Sequence, residues 1–179
     1  RATGLPIGVN CLRNDAFAAL GIAVATGAAF VRVNVHVGAY VTDQGLIEGE
    51  AAASLRYRKS LGADSIGLFA DILVKHAAPL VPLSPGQATH DVLLRGRADA
   101  VIVTGERTGA PVSIALLEEV AEAAEGAPVL LGSGVDLTNV TAMAKHAHGA
   151  IVGTALKVDG RLHAPVDEAR VARLVEAWG

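Results

Sequence analysis

Six short β-rich runs, each followed by a stretch of helical periodicity, recur along this chain at intervals of roughly thirty residues, the length of one βα unit. Parallel strands need long crossovers, and crossovers that are helical bury the sheet, so this repetition points to an α/β fold built on a parallel sheet. The runs lie near Ile7 to Cys11, Phe30 to His36, Ser65 to Val74, Ala100 to Thr104, Pro128 to Leu131 and Ala150 to Gly153. The first helix is expected to start at the cap residues Asn14 and Asp15, to carry Phe17, Leu20 and Val24 on one face, and to stop at Gly27. The last starts beyond Pro165 and aligns Val171, Leu174, Val175 and Trp178 as core. Hydrophobic residues make up 51% of the chain, yet it holds only one Trp, two Tyr and three Phe. Small side chains of that kind suit close packing of helices on a sheet.

No linker or low-complexity tract divides the 179 residues, which read as a single domain. A net charge of -3 supplies no basic field for nucleic acid and allows at most peripheral membrane association. The lone Cys11 leaves no internal disulfide and fits a cytoplasmic protein. Apolar runs such as Val120 to Ala124 and Ala127 to Leu131 are too short to cross a bilayer.

Two arrangements accommodate six βα units: an open doubly wound sheet, or a (β/α)8 barrel without its first two units, since a complete barrel takes about 250 residues. The last two strands favour the barrel. They read PVLLGSGV (Pro128 to Val135) and AIVGTALK (Ala150 to Lys157), each ending in a turn of small residues before a helix. Phosphate-binding barrels hold the anion in the loops after their last two strands, on backbone N–H groups at helix N-termini. Gly132, Ser133, Gly134, Gly153 and Thr154 are therefore the candidate phosphate-binding residues, the alternative being two ordinary tight turns.

Strand alternation then sorts the remaining polar residues. One face of the first strand carries Asn10, one face of the second Arg32, Asn34 and His36, and one face of the third Asp71 and Lys75. On inner faces these converge in one cavity, with His36, Lys75 and Thr104 at the C-terminal mouth and Arg32 and Asp71 deeper. A buried guanidinium needs a partner, and Asp71 is the natural one; a structural ion pair that fixes the register and a direct catalytic role for Asp71 both fit. Asn10 and Asn34 either orient a substrate oxygen or satisfy each other. His36 is expected as general acid/base, the alternative being a histidine satisfied by a loop backbone group, and Lys75 as clamp or nucleophile, the alternative being a lysine reaching into solvent; in the chemical roles, replacing either by alanine changes stability by no more than about 1 kcal/mol. The segment Thr42-Asp43-Gln44-Gly45 falls in a connection of about a dozen residues, long for a βα loop, and is expected to act as lid or wall with Asp43 as a substrate contact. Metal is not expected, because His36, Asp71 and His76 lack ligand-like spacing, and no cofactor motif is present.

The segments GVNCLRND (Gly8 to Asp15), FVRVNVHVGA (Phe30 to Ala39), TDQGLIEG (Thr42 to Gly49), LRYR (Leu55 to Arg58), ADILVKHA (Ala70 to Ala77), ADAVIVTG (Ala98 to Gly105), LGSGV (Leu131 to Val135) and IVGTALK (Ile151 to Lys157) resemble, in order, the BtpA/SgcQ family of TIM-type barrels. The resemblance implies that the six strands are barrel strands three to eight, leaving open edges that a partner or a second copy of the chain would cover. It supplies no settled reaction. It leaves two readings: a lyase or isomerase acting on a phosphorylated sugar-like molecule, and a noncatalytic factor in photosystem I biogenesis.

Overall fold

Strand order separates the two arrangements. The computed structural model describes residues 4–74, 77–105 and 112–179. Its elements run β1 (Gly8–Val9), α1 (Ala16–Thr26), β2 (Phe30–Val33), β3 (Ala39–Thr42), β4 (Gly45–Glu48), α2 (Ala51–Ser60), β5 (Gly67–Ile72) and β6 (Ala77–Pro79). They continue through α3 (Pro85–His90), β7 (Ala100–Val103), α4 (Ile114–Ala123), β8 (Val129–Leu131), α5 (Val140–Met143), β9 (Gly149–Ala150) and α6 (Glu168–Trp178). The main sheet is ordered β1-β2-β5-β7-β8-β9 and every neighbouring pair is parallel. Chain order and spatial order thus coincide, with no point at which the winding reverses. Right-handed crossovers that advance in one direction place all their helices on one face and curl the sheet around the other. The result is a six-stranded, partial (β/α) barrel.

The outer face is apolar because the strands' even register demands it. Val31 and Val33, Leu68, Ala70 and Ile72, Val101 and Val103, and Val129 and Leu131 are all buried in one cluster with Leu20 of α1 and Leu117 and Val120 of α4. Leu20 alone, fully buried, contributes roughly 1.5–3 kcal/mol of transfer free energy. The caps of α1 are those expected. Asp15 accepts from Ala18 N at 2.8 Å, and Gly27 closes the helix at φ 68, a conformation that costs glycine little.

Its buried face differs from expectation, however: Ala16, Ala19, Leu20 and Ala23 pack inward, while Phe17 is half-buried and Val24 is exposed. Alanines let the helix approach the sheet closely. In α6 only Leu174 is buried, and Val175 is 63% exposed. Both helices flank end strands, so each meets a neighbour on one side only among the described residues. Leu5, Ile7, Leu12, Ile22, Ile151, Leu162 and Val166 are likewise exposed in the segments bordering these two edges.

The long connection after β2 is a wall with its own secondary structure. Strands β3 and β4 form a hairpin whose turn is Asp43-Gln44, and β6 adds antiparallel to β3, giving a second sheet ordered β4-β3-β6. Tyr40 turns inward to pack with Val35 and Val74.

Candidate functional site

Alternation along β2 and β5 places Arg32, Asn34 and Asp71 as expected. Arg32 Nη2 donates to Asp71 Oδ1 at 2.9 Å and to Oδ2 at 3.1 Å, while Nε donates to Oδ2 at 3.2 Å. Asn34 Nδ2 donates to the same Oδ2 at 2.5 Å. The Asp71 side chain is 1% exposed and that of Arg32 18%, so the carboxylate is sealed and the guanidinium borders open space. Asn10 Nδ2 sits between Arg32 O, at 2.9 Å, and Asn34 Oδ1, at 3.3 Å. The four residues form one network. Its role as a scaffold rests on this geometry, since a buried carboxylate with a forked partner is held in a single position.

Beyond the strand ends the alternation fails, and it fails for a local reason. The backbone bends at Asn34 and Val35, after β2 has ended at Val33. His36 is consequently carried out of the cavity and buried to 1% exposure, its Nε2 at 2.7 Å from Gly96 O. A carbonyl only accepts, so in the neutral ring Nε2 bears the proton and Nδ1, which has no partner among the described residues, does not. Burial pushes the imidazole pKa below its ordinary value; the bond to Gly96 O opposes this in part, and the coulombic effect of Arg58 lowers it by a lesser amount. This position corrects the expectation that His36 reaches the mouth of the cavity as an acid/base. The same happens after β5: Leu73, at φ 47, reverses the register, so that Val74 rather than Leu73 lines the cavity. Lys75 and His76 lie outside the described residues.

Two cavities open at the C-terminal ends of the strands. One, of about 260 Å³, is lined by Arg13, Arg32, Asn34, Asp43, Asp71 and Thr104 among others. Its wall comes from the hairpin: Asp43 accepts from Arg13 Nη1 at 2.7 Å, tying the β3–β4 turn to the loop after β1. The other, of about 520 Å³, is lined by Gly132, Ser133, Gly134, Gly153, Thr154 and Ala155, together with Asp136 and Arg170. The amides of Ser133, Gly134, Gly153, Thr154 and Ala155 donate to no acceptor among the described residues. Ser133 Oγ is buried and likewise without a partner among the described residues.

The helices behind these loops are shorter than expected, a single 3-10 turn at Thr154–Leu156 and the four residues of α5. Local N–H groups, rather than a long helix dipole, therefore make this cavity a donor-rich one. Its charged walls are nearly balanced. Asp136 is held below the usual carboxylate range, first by the Thr138 hydroxyl, and Arg170 leans on Asp167 at 3.7 Å and donates to Ala155 O.

Gly132 lies against both cavities. A Cβ there would stand 2.5 Å from Thr104 Cγ2, 2.7 Å from Ile102 Cγ2 and 3.4 Å from Arg32 Nη2. Contacts that close require glycine, and they show that the Arg32 guanidinium reaches from β2 across the interior to the loop after β8. Asn14 is a positioning residue that alternation does not reveal. Its side chain donates to Val35 O at 2.8 Å and accepts from Val35 N at 2.6 Å, pairing like a strand with the bend that follows β2. The only sequence signal for it is an asparagine in a turn, a position where a compact amide often bonds backbone.

The BtpA family model matches residues 1–178 of this chain. The Photosystem I biogenesis protein BtpA of Synechocystis sp. is 46% identical over 172 residues, which are 96% of this chain and 60% of that protein. The chain thus spans less than two thirds of that relative's length. Among solved structures, N-(5'-phosphoribosyl)anthranilate isomerase from Pyrococcus furiosus superposes with a TM-score of 0.60 at 16% identity, over 98% of this chain and 74% of the other. An archaeal fructose 1,6-bisphosphate aldolase does so with a TM-score of 0.57 at 20% identity, over 89% and 62%. At such identities the likeness is one of fold.

Proposed function

This chain belongs to the BtpA family, and we propose that it binds a phosphorylated small molecule in the cavities at the C-terminal ends of its strands. One observation carries the reading: Ser133, Gly134, Gly153, Thr154 and Ala155 line a single cavity, and their five backbone amides have no acceptor among the described residues. A phosphate supplies several acceptor oxygens at once, and a group of unbonded N–H donors recognises it without needing a net positive side-chain charge. The reaction class that goes with this reading is a lyase or isomerase step on a sugar-like phosphate, as in the isomerase and aldolase that share the fold. In such a step Arg32 and Asn34, held by Asp71, would orient a carbonyl or hydroxyl oxygen, and Lys75 would serve as clamp or nucleophile.

A second reading, a noncatalytic role in photosystem I biogenesis, is favoured by the name of the Synechocystis relative. Among the described residues no helix is long and apolar enough to cross a membrane.

Gly134→Val separates binding from its absence. Gly134 has φ 77, where a β-branched residue is strained, so the substitution rearranges the turn that carries two of the five amides. Calorimetric titration with inorganic phosphate is expected to show at least a tenfold loss of affinity, with a cooperative melt retained. Unchanged affinity would remove the anion from this loop.

A further inference from the structure

We infer that the ligand is a monophosphate whose other end is uncharged and hydroxylated, and that this end is held by Thr104 and Arg32 in the smaller cavity. The inference rests on the phosphate reading above and extends it to the rest of the molecule. Thr104 is 6% exposed, lines that cavity, and its Oγ1 has no hydrogen-bond partner among the described residues. Buried hydroxyls are almost always satisfied, so an unsatisfied one facing a cavity marks where a ligand atom completes the network. Arg32 points the same way. Its Nε and Nη2 are committed to Asp71, whereas Nη1 bonds to no described residue and its side chain borders the same cavity.

Together Thr104 Oγ1 and Arg32 Nη1 offer one group that can donate or accept and one that only donates. A hydroxyl beside a second hydroxyl or a carbonyl satisfies both. A second phosphate does not fit as well, because the charges of the described residues here are already matched. Arg32 pairs with Asp71 and Arg13 with Asp43, so among the described residues the cavity holds no uncompensated cation, and an added anion would face two carboxylates.

Gly132 fixes how the two ends are joined. It lines the larger cavity and abuts both Thr104 Cγ2 and Arg32 Nη2, so the phosphate loop and the hydroxyl site are neighbours across one residue. A short carbon chain spans that distance. Glycerol 3-phosphate and ribose 5-phosphate are compounds of this class, and ribulose 1,5-bisphosphate is its charged counterpart.

Thr104→Val tests the assignment, since it keeps the shape and removes only an unsatisfied hydroxyl, a change that leaves the fold intact. Titrations of parent and variant would use inorganic phosphate, glycerol 3-phosphate, ribose 5-phosphate and ribulose 1,5-bisphosphate. The parent is expected to bind at least one of the two monophosphates more tightly than inorganic phosphate, and the bisphosphate no more tightly than that monophosphate. The variant should lose about three- to tenfold in affinity for the monophosphate and nothing for inorganic phosphate, the effect of one hydrogen bond. Equal affinity of parent and variant for the monophosphates, with inorganic phosphate still bound, would overturn the hydroxyl site and leave the phosphate reading standing. Tighter binding of the bisphosphate would overturn the neutral end. Failure of inorganic phosphate and both monophosphates to bind would overturn the phosphate reading and this inference with it.

Discussion

Replacing Asp71 by alanine is expected to destabilise the fold by about 3–5 kcal/mol, because it strands a guanidinium in the barrel interior. The Asp71 side chain is 1% exposed and accepts from both Arg32 and Asn34, so one substitution removes the acceptor for at least three donor atoms, Arg32 Nε, Arg32 Nη2 and Asn34 Nδ2. A partly open mouth lowers the cost: Arg32 is 18% exposed, and water reaches it where it would not reach a sealed charge. The low end of the range is accordingly the better guide. Urea unfolding of Asp71→Ala beside Arg32→Met/Asp71→Leu distinguishes a lost attraction from an abandoned charge. The double variant should recover most of the loss, since a buried pair is worth little over an apolar substitute while a broken pair is costly. A single-variant loss below about 1 kcal/mol would mean that the pair does not organise the interior.

Alanine at His36 is expected to cost about 2–4 kcal/mol, in contrast to the small effect that a mouth-lining catalytic residue would show. The ring is almost wholly buried and its Nε2 is bonded to Gly96 O. The approach is so close that a Cβ on Gly96 would lie 2.9 Å from His36 Cδ2. Truncation leaves both a cavity and a carbonyl without its donor. A pH effect accompanies it. Burial lowers the folded-state pKa below the unfolded value of about 6.5, so between the two the unfolded chain binds the extra proton. The stability that His36 contributes is therefore complete above about pH 6.5 and is lost as pH falls toward the lowered folded value. Melting temperatures of the parent should decline across that window more steeply than those of His36→Ala. Parallel declines would show that the imidazole titrates as freely in the fold as outside it.

These two residues also show how far the sequence could be read. Arg32, Asn34 and Asp71 were legible because they sit within or directly beyond hydrogen-bonded strands, where side-chain direction follows from position alone. His36 was not, because two residues of bend separate it from the last paired residue of β2, and period two carries no information once the ladder ends. The positive φ of Leu73 has the same consequence after β5. The order of the six strands could be inferred from the βα repeat and from the loops after β8 and β9. The faces of α1 and α6 could not, since each flanks a sheet edge and buries less than its pattern of apolar residues suggests. The β3–β4 hairpin carries a readable signal in two short apolar runs around Asp43-Gln44, but by its length alone the segment reads as a loop.

The proposed phosphate site consists of the amides of the loops after β8 and β9. Amide chemical shifts of the isotopically labelled chain, followed during titration with inorganic phosphate, address it residue by residue. Ser133, Gly134, Gly153, Thr154 and Ala155 are expected to shift together along one saturating curve, with smaller changes at Gly132 and Thr104. Saturable shifts confined to other loops, or no saturable shift at these five amides, would contradict it.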